Sequence, residues 1–262
     1  MSRIVVKIGG HALDRLDPAS PILGDLAEDI GAIRTDTPAV VVHGGGPQIA
    51  SLLKRVGLAS EFLDGLRVTD GATMEFVAMA LGLVNQRLTA ALERGGLAAV
   101  GLSGVDGALV RAAAHGGRLG RVAREVTVDP RLVTNLLEQG WTPVIGPVAS
   151  DAEGELLNCN ADTVAGSIAA ALEADTLVLL SDIDQLRRDP DDPGSALDSV
   201  TVTDVRAMLA DGAIRDGMIP KMRAALDALD AGAARIVLAN GTRRHALASA
   251  LDGSVPSTEV KR

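Results

Sequence analysis

Arg3-Ile4-Val5-Val6-Lys7-Ile8-Gly9-Gly10, followed by Ala39-Val40-Val41-Val42-His43-Gly44-Gly45-Gly46-Pro47, decides the fold. Each stretch is a short β-branched run stopped by glycines, the pattern of a strand buried on both faces. Between them Leu23, Leu26, Ala27 and Ile30 recur at helical spacing. Ile49, Leu52, Leu53 and Val56 do the same after Pro47, a residue suited to the first turn of a helix. Strand, glycine turn, helix, then the same again, predicts an α/β fold with a largely parallel sheet.

Working outward, apolar runs predict further strands over 98–102, 142–146, 176–181 and 235–239, and helices over 73–94, 130–139, 161–173, 203–211 and 220–231. Glycine-broken runs over 108–128 predict β-hairpins. A soft boundary near Asp175 divides the chain into an N-terminal lobe, 1–175, and a C-terminal lobe, 176–262.

The chain is 47% hydrophobic and 23% charged, a globular composition. A formal charge of −9 argues against nucleic acid, whose phosphates need a basic face. An anionic substrate must then be held by a few local cations. The lone cysteine, Cys159, excludes an intrachain disulfide and fits a reducing compartment. With no export signal and no apolar run of membrane-spanning length, the expected location is cytoplasmic.

Only four lysines, Lys7, Lys54, Lys221 and Lys261, stand among 21 arginines. An ammonium is a compact point charge and a guanidinium a planar fork, so a site shaped for one rejects the other. Lys54 and Lys261 read as solvated surface residues. Lys7 and Lys221 lie beside glycine motifs and are candidates for chemistry. Gly9-Gly10 and Gly44-Gly45-Gly46 both sit between a strand and a helix, where glycine lets backbone N–H groups approach an anion. One such turn is as easily a plain tight connection; two, one of them beside Lys7, favour phosphate. Neither a Gly-x-x-x-x-Gly-Lys-Ser/Thr loop nor a Gly-x-Gly-x-x-Gly fingerprint after the first strand is present.

Arg67, in Gly65-Leu66-Arg67-Val68-Thr69, is suited to a carboxylate, though taken alone it reads better as a surface salt bridge. In Asn158-Cys159-Asn160-Ala161-Asp162, Asn160 fits a helix N-cap and Asp162 the first turn, while capping leaves Asn158 unexplained. Cys159 reads as packing. Lys221 falls near a helix N-terminus, against the helix dipole, which is sensible if an anion joins it there, though the motif alone reads equally as a solvated lysine.

Taken in order, these segments, with Gly101-Leu102-Ser103-Gly104-Val105-Asp106-Gly107 and Gly217-Met218-Ile219-Pro220-Lys221, resemble the acetylglutamate kinase branch of the amino acid kinase family nearly end to end. The resemblance implies an open αβα sandwich with the amino-acid substrate in the N-terminal lobe and ATP, as its Mg²⁺ complex, in the C-terminal lobe. It implies phosphorylation of the γ-carboxylate of N-acetyl-L-glutamate, a step of arginine biosynthesis. Lys7 and Lys221 would neutralise the transferring phosphoryl, with Asp162 positioning both. Gly44, Gly45, Arg67 and Asn158 would hold the substrate. Gly9, Gly10, Ser181, Asp182, Ala213, Ile214 and Arg215 would serve the nucleotide, with no protein ligand to the metal. A carboxylate nucleophile is already ionised, so no histidine is required.

The sequence departs from that branch at Gln185, where glycine is usual, and at the tail Gly253-Ser254-Val255-Pro256-Ser257-Thr258. The first strand begins at Arg3, which leaves no room for the N-terminal helix of the arginine-inhibited hexamers; a homodimer is expected. The alternatives are a kinase for carrier-linked glutamate or aminoadipate, and a non-catalytic sensor on the same fold.

Overall fold

The computed structural model describes residues 2–13, 20–33 and 37–262. In chain order it contains β1 (Ile4–Ile8), α1 (Pro21–Ile33), β2 (Ala39–His43), α2 (Gly46–Arg55), β3 (Phe62–Leu63), β4 (Leu66–Arg67), α3 (Gly71–Arg94) and β5 (Ala99–Ser103). Then follow β6 (Val110–Gly116), β7 (Gly120–Val128), α4 (Arg131–Glu138), β8 (Thr142–Gly146), β9 (Val148–Ser150), β10 (Leu156–Asn158) and α5 (Ala161–Ala171). The C-terminal part holds β11 (Thr176–Ser181), β12 (Ser199–Thr201), α6 (Val202–Ala210), α7 (Met218–Asp230), β13 (Arg235–Asn240), α8 (Ala246–Asp252) and β14 (Ser257–Lys261).

Eight strands form one sheet in the order β12-β14-β13-β11-β1-β2-β8-β5. All neighbours pair parallel except β13 and β14, so β12 and β14 run against the other six. The sheet is continuous across Asp175, because β1 pairs with β11 along its whole length. The predicted largely parallel α/β sandwich is the observed one.

Side chains alternate along each strand, and the two faces carry separate cores. Ile4, Val6 and Ile8 pack with Leu23, Leu26 and Ile30 of α1, Leu88 and Leu92 of α3, and Leu247 of α8. Val5 packs on the opposite face with Val164 and Ile168 of α5 and Met222 and Leu226 of α7. The two-residue period therefore sends Lys7 to the α5–α7 face, although every residue of β1 is buried.

Helix ends follow the sequence closely. Asn160 caps α5, its Oδ1 accepting from the Asp162 and Thr163 N–H groups at 2.8 and 3.1 Å. Thr201 and Asp204 close a capping box on α6. The hairpin expected over 108–128 is β6–β7, which joins β9 and β10 in a small closed barrel. The short β3–β4 hairpin, β12 and the terminal α8–β14 unit carry too little periodicity to be predicted.

Candidate active site

From β1 the chain goes by α1, on one face of the sheet, to β2. From β11 it goes by α6 and α7, on the other face, to β13. The ends of β1 and β11 thus diverge at a topological switch point, where parallel sheets open a crevice for ligands. Lys7, Gly9-Gly10, Gly44-Gly45 and Ser181-Asp182 all lie there.

The two glycine turns touch. A Cβ at Gly10 would meet Pro47 Cδ at 2.7 Å and the Gly46 nitrogen at 3.1 Å. The Gly9 N–H donates to the Leu180 carbonyl and the Gly44 N–H to the Ile8 carbonyl, both at 2.9 Å. Those two glycines spend their N–H groups on the sheet. Among the described residues the Gly10 and Gly45 N–H groups take no protein acceptor.

Behind the turns lies the charge cluster. Asp162 Oδ1 stands 2.8 Å from Lys7 Nζ and its Oδ2 stands 3.9 Å from Lys221 Nζ, with all three side chains largely shielded from solvent. One carboxylate thus holds two ammonium groups that would otherwise repel. Lys221 also donates to the Gly217 carbonyl at 3.1 Å. Burial, followed by the Lys7 charge, pulls the Lys221 pKa below the usual lysine value, while Asp162 and Asp182 oppose the fall.

The meeting of Asp162 and Lys221 depends on how closely α5 and α7 cross. A Cβ at Gly166, one turn after Asp162, would lie 2.8 Å from the Ala224 carbonyl oxygen, one turn after Lys221. Gly166 is a packing position beneath the charge cluster that no sequence motif singles out. Its signal was the run of small residues at Ala165, Gly166 and Ala169 facing Ala224, Ala225 and Ala228.

Arg67 is buried at the end of β4. Its Nη1 donates to Ser60 Oγ, its Nη2 to the Gly46 carbonyl at 3.1 Å, and its guanidinium lies 4.7 Å over the Phe62 ring. Among the described residues no carboxylate pairs with it, and burial lowers its pKa. A buried guanidinium without a carboxylate partner has the charge and donor geometry to accept one. Asn158 Nδ2 donates to Thr69 Oγ1 at 3.1 Å, and Thr69 Oγ1 donates to the Arg67 carbonyl at 2.8 Å. One chain of hydrogen bonds ties β10 to the Arg67 segment.

On the other side a cleft of about 820 Å³ opens between the β11 end and α7. Asp182, Ala213, Ile214, Arg215 and Lys221 line it; Ser181, buried behind, donates to Asp182 Oδ1 at 3.1 Å. Burial pushes the Asp182 carboxyl up, but its own N–H, Ser181, His11 and Lys221 outweigh this and keep it lowered. Arg215 pairs with Asp191 at 2.7 Å across the cleft mouth. Gln185 is absorbed into structure: its Nε2 donates to Asp198 Oδ1 at 2.7 Å and to the Ser257 carbonyl at 3.1 Å, tying the cleft wall to β14.

Two residues are excluded from chemistry. His43 is fully buried and burial lowers its pKa to about 4, so it is neutral. Its Nδ1–H donates to the Gly44 carbonyl at 2.9 Å and its Nε2 accepts from Asn85 at 3.2 Å. Cys159 is buried with its thiol pushed up to about 12, too high for a nucleophile.

Two glycine turns, a carboxylate-bridged lysine pair and a nucleotide-sized cleft at one switch point define a phosphoryl-transfer enzyme. The chain belongs to the amino acid kinase family, which matches residues 2–240. It is 41% identical over 256 residues to the acetylglutamate kinase of Symbiobacterium thermophilum, covering 93% of this chain and 86% of that protein. It is 44% identical over 249 residues to the acetylglutamate kinase of Synechococcus sp. (strain CC9311), covering 94% and 86%. The carbamate kinase from Giardia lamblia bound to AMP-PNP shares the fold at a TM-score of 0.72 and 16% identity, over 100% of this chain and 98% of that one.

Proposed function

We propose that this chain is an acetylglutamate kinase, moving the γ-phosphoryl group of MgATP to the γ-carboxylate of N-acetyl-L-glutamate. The observation that carries this reading is Asp162 holding Lys7 and Lys221 beside the glycine turns. The relatives at about 40% identity and the uncompensated Arg67 support the acceptor.

The N-terminal lobe takes the amino-acid substrate. Its α-carboxylate meets Arg67 and Asn158, and its γ-carboxylate lies against the N–H groups at the glycine turns. The nucleotide fills the cleft lined by Asp182, Arg215 and Lys221, bringing Mg²⁺ on its phosphates. A γ-carboxylate oxygen forms a bond to the γ-phosphorus as the bond to the β,γ-bridging oxygen breaks. ADP departs with that electron pair, leaving an acyl phosphate. Negative charge spreads over the transferring group, and Lys7 and Lys221 stabilise it from fixed positions. No general base is needed, consistent with a neutral, buried His43.

A homodimer is part of the same reading. β5 is a sheet edge, and Met79 and Leu83 of the neighbouring α3 are 59% and 49% exposed beside a groove of about 600 Å³. Sedimentation of the purified protein as a monomer would remove it. Hydroxamate formation with ATP and N-acetylglutamate, glutamate or aspartate tests the activity. Turnover of the acetylated substrate is expected, and its absence would sink the assignment.

A further inference from the structure

We infer that Gln48 is a positioning residue that sets the gap between the donor and acceptor halves of the site. The inference rests on the carboxyl phosphotransfer read above. Gln48 belongs to the first turn of α2, immediately after the acceptor-side glycines. Its Nε2 reaches across to the other glycine turn, donating to the Gly10 carbonyl at 3.3 Å and to the Leu13 carbonyl at 2.9 Å. No other side chain among the described residues donates to the carbonyls of that turn.

The amide orientation is forced. Turning it over would aim Oε1 at two carbonyl oxygens, so the two acceptors decide which end is nitrogen. The consequence is an unpaired oxygen, because Oε1 is buried without a hydrogen-bond partner. It lies on the acceptor side, 3.9 Å from where a Cβ on Gly45 would stand. One amide therefore spans the two loops, with its nitrogen on the Gly10 turn and its oxygen beside Gly45.

In-line transfer needs the attacking carboxylate oxygen and the phosphorus about 3–3.5 Å apart, and a misplacement of about 1 Å can cost about 10²-fold. In the proposed reaction the Gly10 turn separates the nucleotide side from the acceptor side, and it packs so closely on the second turn that a Cβ at Gly10 would lie 2.7 Å from Pro47 Cδ and 3.1 Å from the Gly46 nitrogen. Gln48 holds that turn by two hydrogen bonds, one to Gly10 and one to Leu13, and so acts on the reactants through the backbone. Its loss should lower kcat while leaving the binding surfaces intact.

The test is steady-state kinetics of Gln48→Met, which keeps the length without the donor, and Gln48→Glu, which puts a carboxylate against two carbonyl oxygens. Both are compared with wild type at saturating ATP and N-acetylglutamate, with thermal melts alongside. Expected are a fall in kcat of about ten-fold or more in each variant and KM values for both substrates within about two-fold of wild type. Wild-type kcat in either folded variant overturns the inference, as does a loss confined to KM. If Gln48→Met does not fold, Gln48→Glu decides alone. A wild-type enzyme that fails to phosphorylate N-acetylglutamate is a different failure: it removes the functional reading, and this inference with it.

Discussion

Replacing Asp162 with asparagine removes one charge and changes almost no volume, yet it should disable the site. The carboxylate lies 2.8 Å from Lys7 Nζ and 3.9 Å from Lys221 Nζ. With an effective dielectric of about 20, these distances correspond to attractions of about 6 and about 4 kcal/mol before desolvation is subtracted. Removing one partner of a buried pair typically costs about 3–5 kcal/mol, because the remaining charge is left uncompensated. Here two ammonium groups are left facing each other. Lys221 already has a lowered pKa, and Asp162 is the largest influence opposing that fall. Without it Lys221 gives up its proton at lower pH than in the wild type. In the proposed mechanism the protonated form stabilises the transferring phosphoryl, so the basic limb of the kcat profile should move toward lower pH. The loss of transition-state stabilisation should be about 2.7–4 kcal/mol, or about 10²–10³-fold in kcat at neutral pH. Hydroxamate-trapped acyl phosphate, measured from pH 6 to about 10, reads both the magnitude and the shift. A fall of less than about five-fold with an unmoved basic limb would refute the reasoning that one carboxylate organises both lysines.

Lys7→Arg and Lys221→Arg should each lower kcat by about 10²-fold, since a guanidinium cannot occupy a space shaped for an ammonium; near-normal rates for both would show that charge alone suffices. Arg67→Lys should raise the KM for N-acetylglutamate about ten-fold or more with little change in the KM for ATP, and equal effects on both would place Arg67 elsewhere in the mechanism. Gly166→Val should force α5 away from the Ala224 carbonyl and cut kcat at a temperature where the protein is still folded by circular dichroism; unchanged kcat would show that the crossing has slack. His43 holds a folded pKa of about 4 against an unfolded value near 6.5. The unfolded chain therefore binds a proton that the folded one refuses, and stability should fall by about 3 kcal/mol as pH drops from about 6.5 to about 4. An acid-side Tm slope unchanged by His43→Asn would contradict this. His245 has the opposite sign: its raised pKa, from Asp29 at 2.8 Å and then Asp25, gives stability that is present at acid pH and lost as pH rises through the folded value. Tm differences between wild type and His245→Asn should be larger at pH 6 than at pH 9.

The strands around Lys7 and His43 and the helix cap at Asn160 were legible because local chemistry decides them: β-branched runs, glycine stops and a side chain that bonds its own helix start. Lys7 and Lys221 stood out through the scarcity of lysine elsewhere, and the structure brings both to Asp162. Residue types at turns also marked Arg67 and Asn158, but not that Thr69 links them.

What only the tertiary structure decides is the geometry by which these groups meet, since the shared role of Asp162 was implied by family resemblance and by no local pattern. Lys7 and Lys221 are distant in sequence, and nothing local shows that one aspartate reaches both. That follows from the parity of β1, which turns Lys7 toward α5, and from Gly166, which lets α7 approach. The division of labour among the glycines is also a long-range outcome, since the carbonyls that engage Gly9 and Gly44 come from neighbouring strands. Sequence determined the elements and marked the candidate groups, because strands, caps and glycine turns depend on interactions over a few residues. The site itself is made by contacts across the whole chain.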